Sequence, residues 1–227
     1  MSVTNDQHQE HSKQYDSAAD FSFPVNIIVL FVSLIVTCFI GTNIISFYLD
    51  NYNDGMLTFV LSSFTFFIVS VFIFIFFFKK HSPFKSGSLL LPLTALLIVI
   101  QALNTPATEP GTSLDTLLTY QNIIYFLVMI FIGPFYEEVF FRGCLFGSLC
   151  TLTNKIGGGL IIPALVGALI FSIFHSQYTS ISAYGVEFIF AIILTIIRIR
   201  TRGLIGPIFA HAVLNLFAVI SVIYSVL

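Results

Sequence analysis

Apolar side chains run almost unbroken through seven stretches of this sequence, and the polar residues are gathered between them. The stretches extend from about Pro24 to Leu49, about Met56 to Phe78, Leu89 to Leu103, Tyr120 to about Cys150, about Gly159 to His175, Ser182 to Ile197, and Leu204 to Tyr224. A helix needs about 20 consecutive apolar residues to cross the hydrocarbon core of a bilayer. The third and sixth stretches are short by that measure. The pattern predicts an all-α fold, a polytopic transmembrane helix bundle with about seven spans.

Composition agrees with that reading. The chain is 57% hydrophobic and 9% charged, against about 25% charged residues in a soluble domain. Length alone allows one or two domains, and the density of apolar runs predicts a single membrane domain over 21–227. Residues 1–20 are polar, contain Lys13 as their one basic residue, and lack an apolar core. They read as a disordered tail and not as a secretory signal peptide. Cys38, Cys144 and Cys150 form no CxxC pair and no disulfide framework. The net charge of −2 and the lack of a basic stripe exclude nucleic acid as a partner.

Charge also sets an orientation. With the N-terminus in the cytoplasm and the spans alternating, Lys13, Lys79, Lys80, Lys85, Lys155, Arg198, Arg200 and Arg202 all fall inside. Arg142 then lies in the inner half of the fourth span. The outer connections carry Asp50, Asp54, Glu109 and Asp115 and no basic residue. That is the positive-inside asymmetry, and it predicts an integral membrane protein with a cytoplasmic N-terminus.

Within these apolar spans lie three polar clusters. The fourth span holds Glu137, Glu138 and Arg142, the fifth ends in Phe171-Ser172-Ile173-Phe174-His175, and the seventh holds His211 and Asn215. A charged side chain at mid-membrane costs about 2.5–3.5 kcal/mol on insertion scales, so such groups face a protein interior and serve something there. Glu138 and Arg142 are four apart, as are His211 and Asn215, so each pair shares a helical face. Glu137 points about 100° away from Glu138. Gly133-Pro134, just before the glutamates, and Pro207, four before His211, predict helix breaks that need a polar partner or a cavity nearby. Gly143 and Gly147 predict a ridge where another helix comes close.

Other chemistries fit less well. No intramembrane aspartate accompanies Ser172 and His175 to complete a triad, and no Gly-x-Ser-x-Gly is present. Cys144 has no histidine beside it in sequence, and there is no intramembrane aspartate pair. Glu187, in the sixth span, is expected near the outer interface, with a place in the cavity wall as the alternative. The glutamates could also serve a structural ion-pair network or the proton relay of a small transporter.

In order, Glu-Glu-xxx-Arg, Phe-xxx-His and His-xxx-Asn across a multi-span chain resemble the CPBP family, the CAAX proteases and bacteriocin-processing enzymes also called the Abi or type II CAAX prenyl endopeptidase family. The resemblance covers about Tyr120 to Leu227, so the catalytic core is expected in 120–227. It implies an intramembrane endopeptidase with a polar intramembrane cavity. By that resemblance Glu137 is the general base that activates a water, with His175 as its partner. Glu138 and Arg142 hold each other, and His211 and Asn215 stabilise the oxyanion. No cofactor is favoured. The alternative is a zinc ion held by Glu137, His175 and His211, although no His-Glu-xx-His signature is present.

The expected partners are membrane lipid and a peptide or lipidated protein substrate. The compact length and short loops point to a bacterial cell membrane, where a leader or signalling peptide is a better expectation than a prenylated protein. A second expectation, from a different class, is an immunity protein that sequesters a membrane-active peptide such as a bacteriocin.

Overall fold

A computed structural model describes residues 21–29, 31–32, 36, 55–79, 88–104, 113–154, 156–157, 159–175 and 180–227. The expected first span, about 24–49, falls mostly outside the described residues; of it, 25–29, 31–32 and 36 are helical. The tail 1–20 and the loop residues Asp50, Asp54, Lys80, Lys85, Glu109 and Lys155 also lie outside them.

The other six spans are present. Helix α1 (Gly55–Ile73) continues into a π turn, Phe74–Phe78. Helix α2 is Leu90–Asn104, and a single helical turn, Leu114–Leu117, follows, closed by a Ser113 capping box. Helix α3 runs continuously over Tyr120–Asn154. Helix α4 is Ile161–Phe174, α5 is Ile181–Thr201 and α6 is Ile205–Tyr224. Among the described residues there is no strand. Thr58–Phe78, α3, α5 and α6 are long and apolar enough to cross a membrane, while α2 and α4 are shorter apolar helices. The protein is an all-α integral membrane bundle.

Two expectations are corrected. The sixth span is not short: α5 has 21 residues, because it continues through Arg198 and Arg200. Arg198 does not end the span, since it is buried, donates through Nε to the Arg142 carbonyl at 3.4 Å, and lies 5.2 Å over the Phe21 ring. Neither proline interrupts a helix. Pro207 falls in the first turn of α6, where its missing N–H has no intrahelical partner to lose. Gly133-Pro134 is carried inside α3 by a π segment, Val128–Ile132.

Packing follows from which faces are apolar all round and which are not. Leu97, Leu194, Ile197 and Leu214 form a core between α2, α5 and α6. Phe141, Ala168, Phe171 and Ala191 tie α3 to α4 and α5. The outward faces carry exposed Ile68, Phe72, Phe76, Leu91 and Phe131, as expected of surfaces solvated by lipid. The glycine ridge is real, but no helix backbone fills it. A Cβ on Gly143 would meet Phe78 Cζ at 2.9 Å, and one on Gly147 would meet Phe23 Cβ at 2.6 Å and the Phe21 carbonyl at 2.7 Å. Gly147→Ala therefore pushes the 21–23 segment away. The expected loss is about 1–3 kcal/mol, read as a lower unfolding temperature in detergent. An unchanged temperature would mean the close approach does not exist.

These contacts also bring the basic residues together. Phe78, Leu204 and Phe23 pack around Cys144, so Lys79 and the Arg198–Arg202 stretch gather beside the C-terminal half of α3. Asp115 lies before the start of α3, at the opposite end.

Candidate functional site

Successive positions on a helix are about 100° apart, and α3 uses that angle to give its two glutamates different surroundings. Glu138 is turned into the protein and is fully buried. Glu137 faces a cavity, with 22% of its side chain exposed. Arg142, one turn on from Glu138, donates from Nη1 to Glu138 Oε1 at 2.9 Å. The same oxygen takes a second bond, from Nδ1 of His211 on α6, at 2.7 Å. Arg142 Nη2 donates to the Ala191 carbonyl of α5 at 3.4 Å, and its guanidinium carbon lies 4.4 Å from the centre of the Phe171 ring. Such a stack over an aromatic face is worth about 2 kcal/mol or more when desolvated. Four helices thus meet at one buried ion pair.

An ionised carboxylate only accepts, so the bond to Glu138 fixes Nδ1 of His211 as the donor and turns Nε2 outward. Nε2 lies 3.9 Å from Glu137 Oε2. That is too long for a hydrogen bond. Oε2 of Glu137 is buried and has no hydrogen-bond partner among the described residues.

Asn215 is placed by the proline that sequence reasoning expected to break the helix. In the π segment the Gly133 N–H donates to the Val128 carbonyl, five residues back. The next pair in that register joins Pro134 to Met129, and proline has no N–H. The Met129 carbonyl accepts instead from Asn215 Nδ2, at 2.8 Å. The bond leaves the second N–H of the Asn215 amide for other work. Asn215→Leu strands that carbonyl in a part-buried site, at an expected cost of about 1–3 kcal/mol. Thermal unfolding measures it, and adding Pro134→Ala, which restores a backbone donor, is expected to recover part of the loss.

His175 caps α4 just beyond its last helical residue, where the backbone leaves the helical region. Its Nδ1 lies 2.9 Å from the Phe171 carbonyl. The Phe171 ring lies 4.4 Å from the His175 ring and 6.3 Å from that of His211, so one phenyl group spaces Arg142 and both histidines.

Glu137, His175, His211 and Asn215 all line a single cavity of about 520 Å³, within the usual range for a ligand site of about 300–1,000 Å³. Glu138 and Arg142 stand behind its wall. Glu187 also lines the cavity, the alternative that the sequence left open for it. Sequence reasoning missed the part played by α5. Glu187, Ala191 and Arg198 sit four and seven residues apart, on one helical face, and that spacing was a readable signal. Cys144 is fully buried among apolar neighbours and is not part of the cavity wall. Among the described residues no three His, Cys, Asp or Glu side chains converge as a metal-ligand set. His211 Nδ1 is bonded to Glu138, which leaves Nε2, on the Glu137 side, as the nitrogen a zinc ion would take.

The fold and site define an integral membrane helix bundle with a polar cavity held among its spans. Residues 119–217 match the model of the type II CAAX prenyl endopeptidase, Rce1-like family. All six site residues lie inside that segment. The chain is 29% identical over 128 residues to the "Membrane-embedded CAAX protease MroQ" of Staphylococcus aureus strain USA300, covering 55% of this chain and 49% of that protein. It is 36% identical over 95 residues to YdiL of Bacillus subtilis strain 168, whose name marks it as a candidate membrane peptidase; 41% of this chain and 35% of that one are covered. A 24.3 kDa protein of Escherichia coli is 28% identical over 130 residues, 57% of this chain and 58% of its own. The chain thus spans between about a third and three-fifths of these curated relatives. No solved structure matches it.

Proposed function

We propose that the chain is an intramembrane endopeptidase, which hydrolyses a peptide bond in a membrane-associated peptide or protein by means of a water activated by Glu137. One observation carries the reading. Glu137 lines the cavity and carries a buried carboxylate oxygen with no hydrogen-bond partner among the described residues, 3.9 Å from an imidazole already held by a second carboxylate. The names of two relatives point the same way.

Glu137 Oε2 takes a proton from water, and the resulting hydroxide adds to the scissile carbonyl carbon. The carbonyl oxygen becomes an oxyanion. His211 Nε2–H and the second amide N–H of Asn215 are placed to donate to it, in a cavity where such donors act at low dielectric. Glu137 then returns its proton to the departing amine nitrogen, and the C–N bond breaks. When His211 is an imidazolium, Glu137, Glu138, Arg142 and His211 sum to zero charge, which suits a site inside a membrane. His175 closes the same cavity and serves as the partner of Glu137 in holding the water. No step runs through a metal ion.

The bacterial relatives make a leader or signalling peptide of a bacterial membrane the favoured substrate. The basic residues gathered beside the C-terminal half of α3 favour that end as cytoplasmic, with the N-terminus there too. The test is cleavage of candidate membrane peptides by the purified chain, followed by mass spectrometry, with Glu137→Gln beside it. A metal chelator is expected to leave cleavage unchanged. Complete loss that zinc restores would overturn the metal-free route. Protection of cells from a peptide toxin that survives Glu137→Gln would favour sequestration over hydrolysis.

A further inference from the structure

We propose that the cavity accepts a cationic side chain of the peptide substrate, with Glu187 as its counter-ion; the substrate role of the cavity rests on the function proposed above. Glu187 and Glu137 both line the cavity, and no Lys or Arg does. Arg142, the nearby cation, is already spent on Glu138, the Ala191 carbonyl and the Phe171 ring. Among the described residues no Lys or Arg comes within ion-pair distance of Glu187. With His211 as an imidazolium the hydrolytic machinery balances without it, and Glu187 is a surplus negative charge.

An uncompensated carboxylate inside a membrane protein is costly and marks a functional group by default. What could repay it is written in the rest of the wall. Phe59, Tyr125, Phe174 and Phe190 face the same space, and aromatic faces attract an ammonium or guanidinium group. The methylene stem of a Lys or Arg side chain lies along such apolar surface while its head meets the carboxylate. Glu187 sits one helical turn before Ala191, whose carbonyl holds Arg142. The cation would therefore bind in the same cavity as Glu137. A site built this way rejects an acidic side chain strongly, because two like charges would share a low-dielectric space.

The experiment uses the full chain in zwitterionic phosphatidylcholine nanodiscs, with empty discs as the blank. Three 12-residue apolar peptides differ only at a central Lys, Leu or Glu. Their binding is measured on the Glu137→Gln protein, and their cleavage on the wild type. The Lys peptide is expected to bind about tenfold more tightly than the Glu peptide. Adding Glu187→Gln is expected to level the three, Glu187→Asp to keep their order, and Glu187→Lys to reverse it. Equal binding of the three peptides, no binding of any, or a Lys preference that survives Glu187→Gln would each overturn the proposal. A Lys preference without cleavage keeps this inference and rejects the peptidase reading. Cleavage without any charge preference does the opposite.

Discussion

Glu137→Gln is expected to lower the rate of peptide cleavage by about 10²- to 10⁴-fold, the usual contribution of a positioned general base. That corresponds to about 3–5 kcal/mol of transition-state stabilisation. Glutamine keeps the size and the cavity-facing position of the side chain but cannot take a proton from water. The same substitution is expected to leave the unfolding temperature unchanged or raised. Oε2 of Glu137 has no hydrogen-bond partner among the described residues and sits 3.9 Å from His211, so neutralising it removes a buried charge without breaking a bond. Catalytic groups commonly cost stability in this way. Kinetics on purified protein, paired with a melting curve, separate the two effects. A rate within a few-fold of wild type would remove Glu137 from the role of base. A large fall in unfolding temperature would show that it holds the fold instead.

The apolar periodicity was enough to place six of the seven expected spans, because a membrane demands long runs whose backbone bonds close within the segment. Spacing was enough to pair Glu138 with Arg142 and to put His211 and Asn215 on one face. What could not be read was tertiary. Arg198 looked like the end of a span, since an arginine beside an apolar run normally marks the interface. Only the Arg142 carbonyl and the Phe21 ring, distant in sequence, explain why it continues the helix. The bond from His211 to Glu138 crosses 73 positions and has no local signature. Pro134 was legible as a disturbance but not as the reason Asn215 faces Met129, because a π register cannot be seen in residue types. The lining of the cavity by Glu187 was left open for a similar reason: depth from the end of a helix says nothing about rotation around it.

Arg142→Met is expected to be the most destabilising single change in the site. Arg142 and Glu138 are 2% and 0% exposed. Removing the cation leaves Glu138 as a buried negative charge, with only His211 Nδ1 on one oxygen and no partner on the other among the described residues. Breaking a buried pair from one side costs about 3–5 kcal/mol, a large share of the roughly 5–15 kcal/mol that holds a typical protein folded. The Phe171 ring also loses its cation, and α5 loses the bond at Ala191. Replacing both partners is expected to be milder than replacing one. In Glu138→Gln with Arg142→Met the uncompensated charge is gone, and the glutamine oxygen can still accept from His211. The double substitution should therefore recover more than half of the single loss, a coupling that a double-mutant cycle reads directly. Strictly additive losses in that cycle would mean that Arg142 stabilises the bundle by packing alone. The carboxylate could then ionise without it, and the arrangement that turns His211 towards Glu137 would not depend on the ion pair behind it.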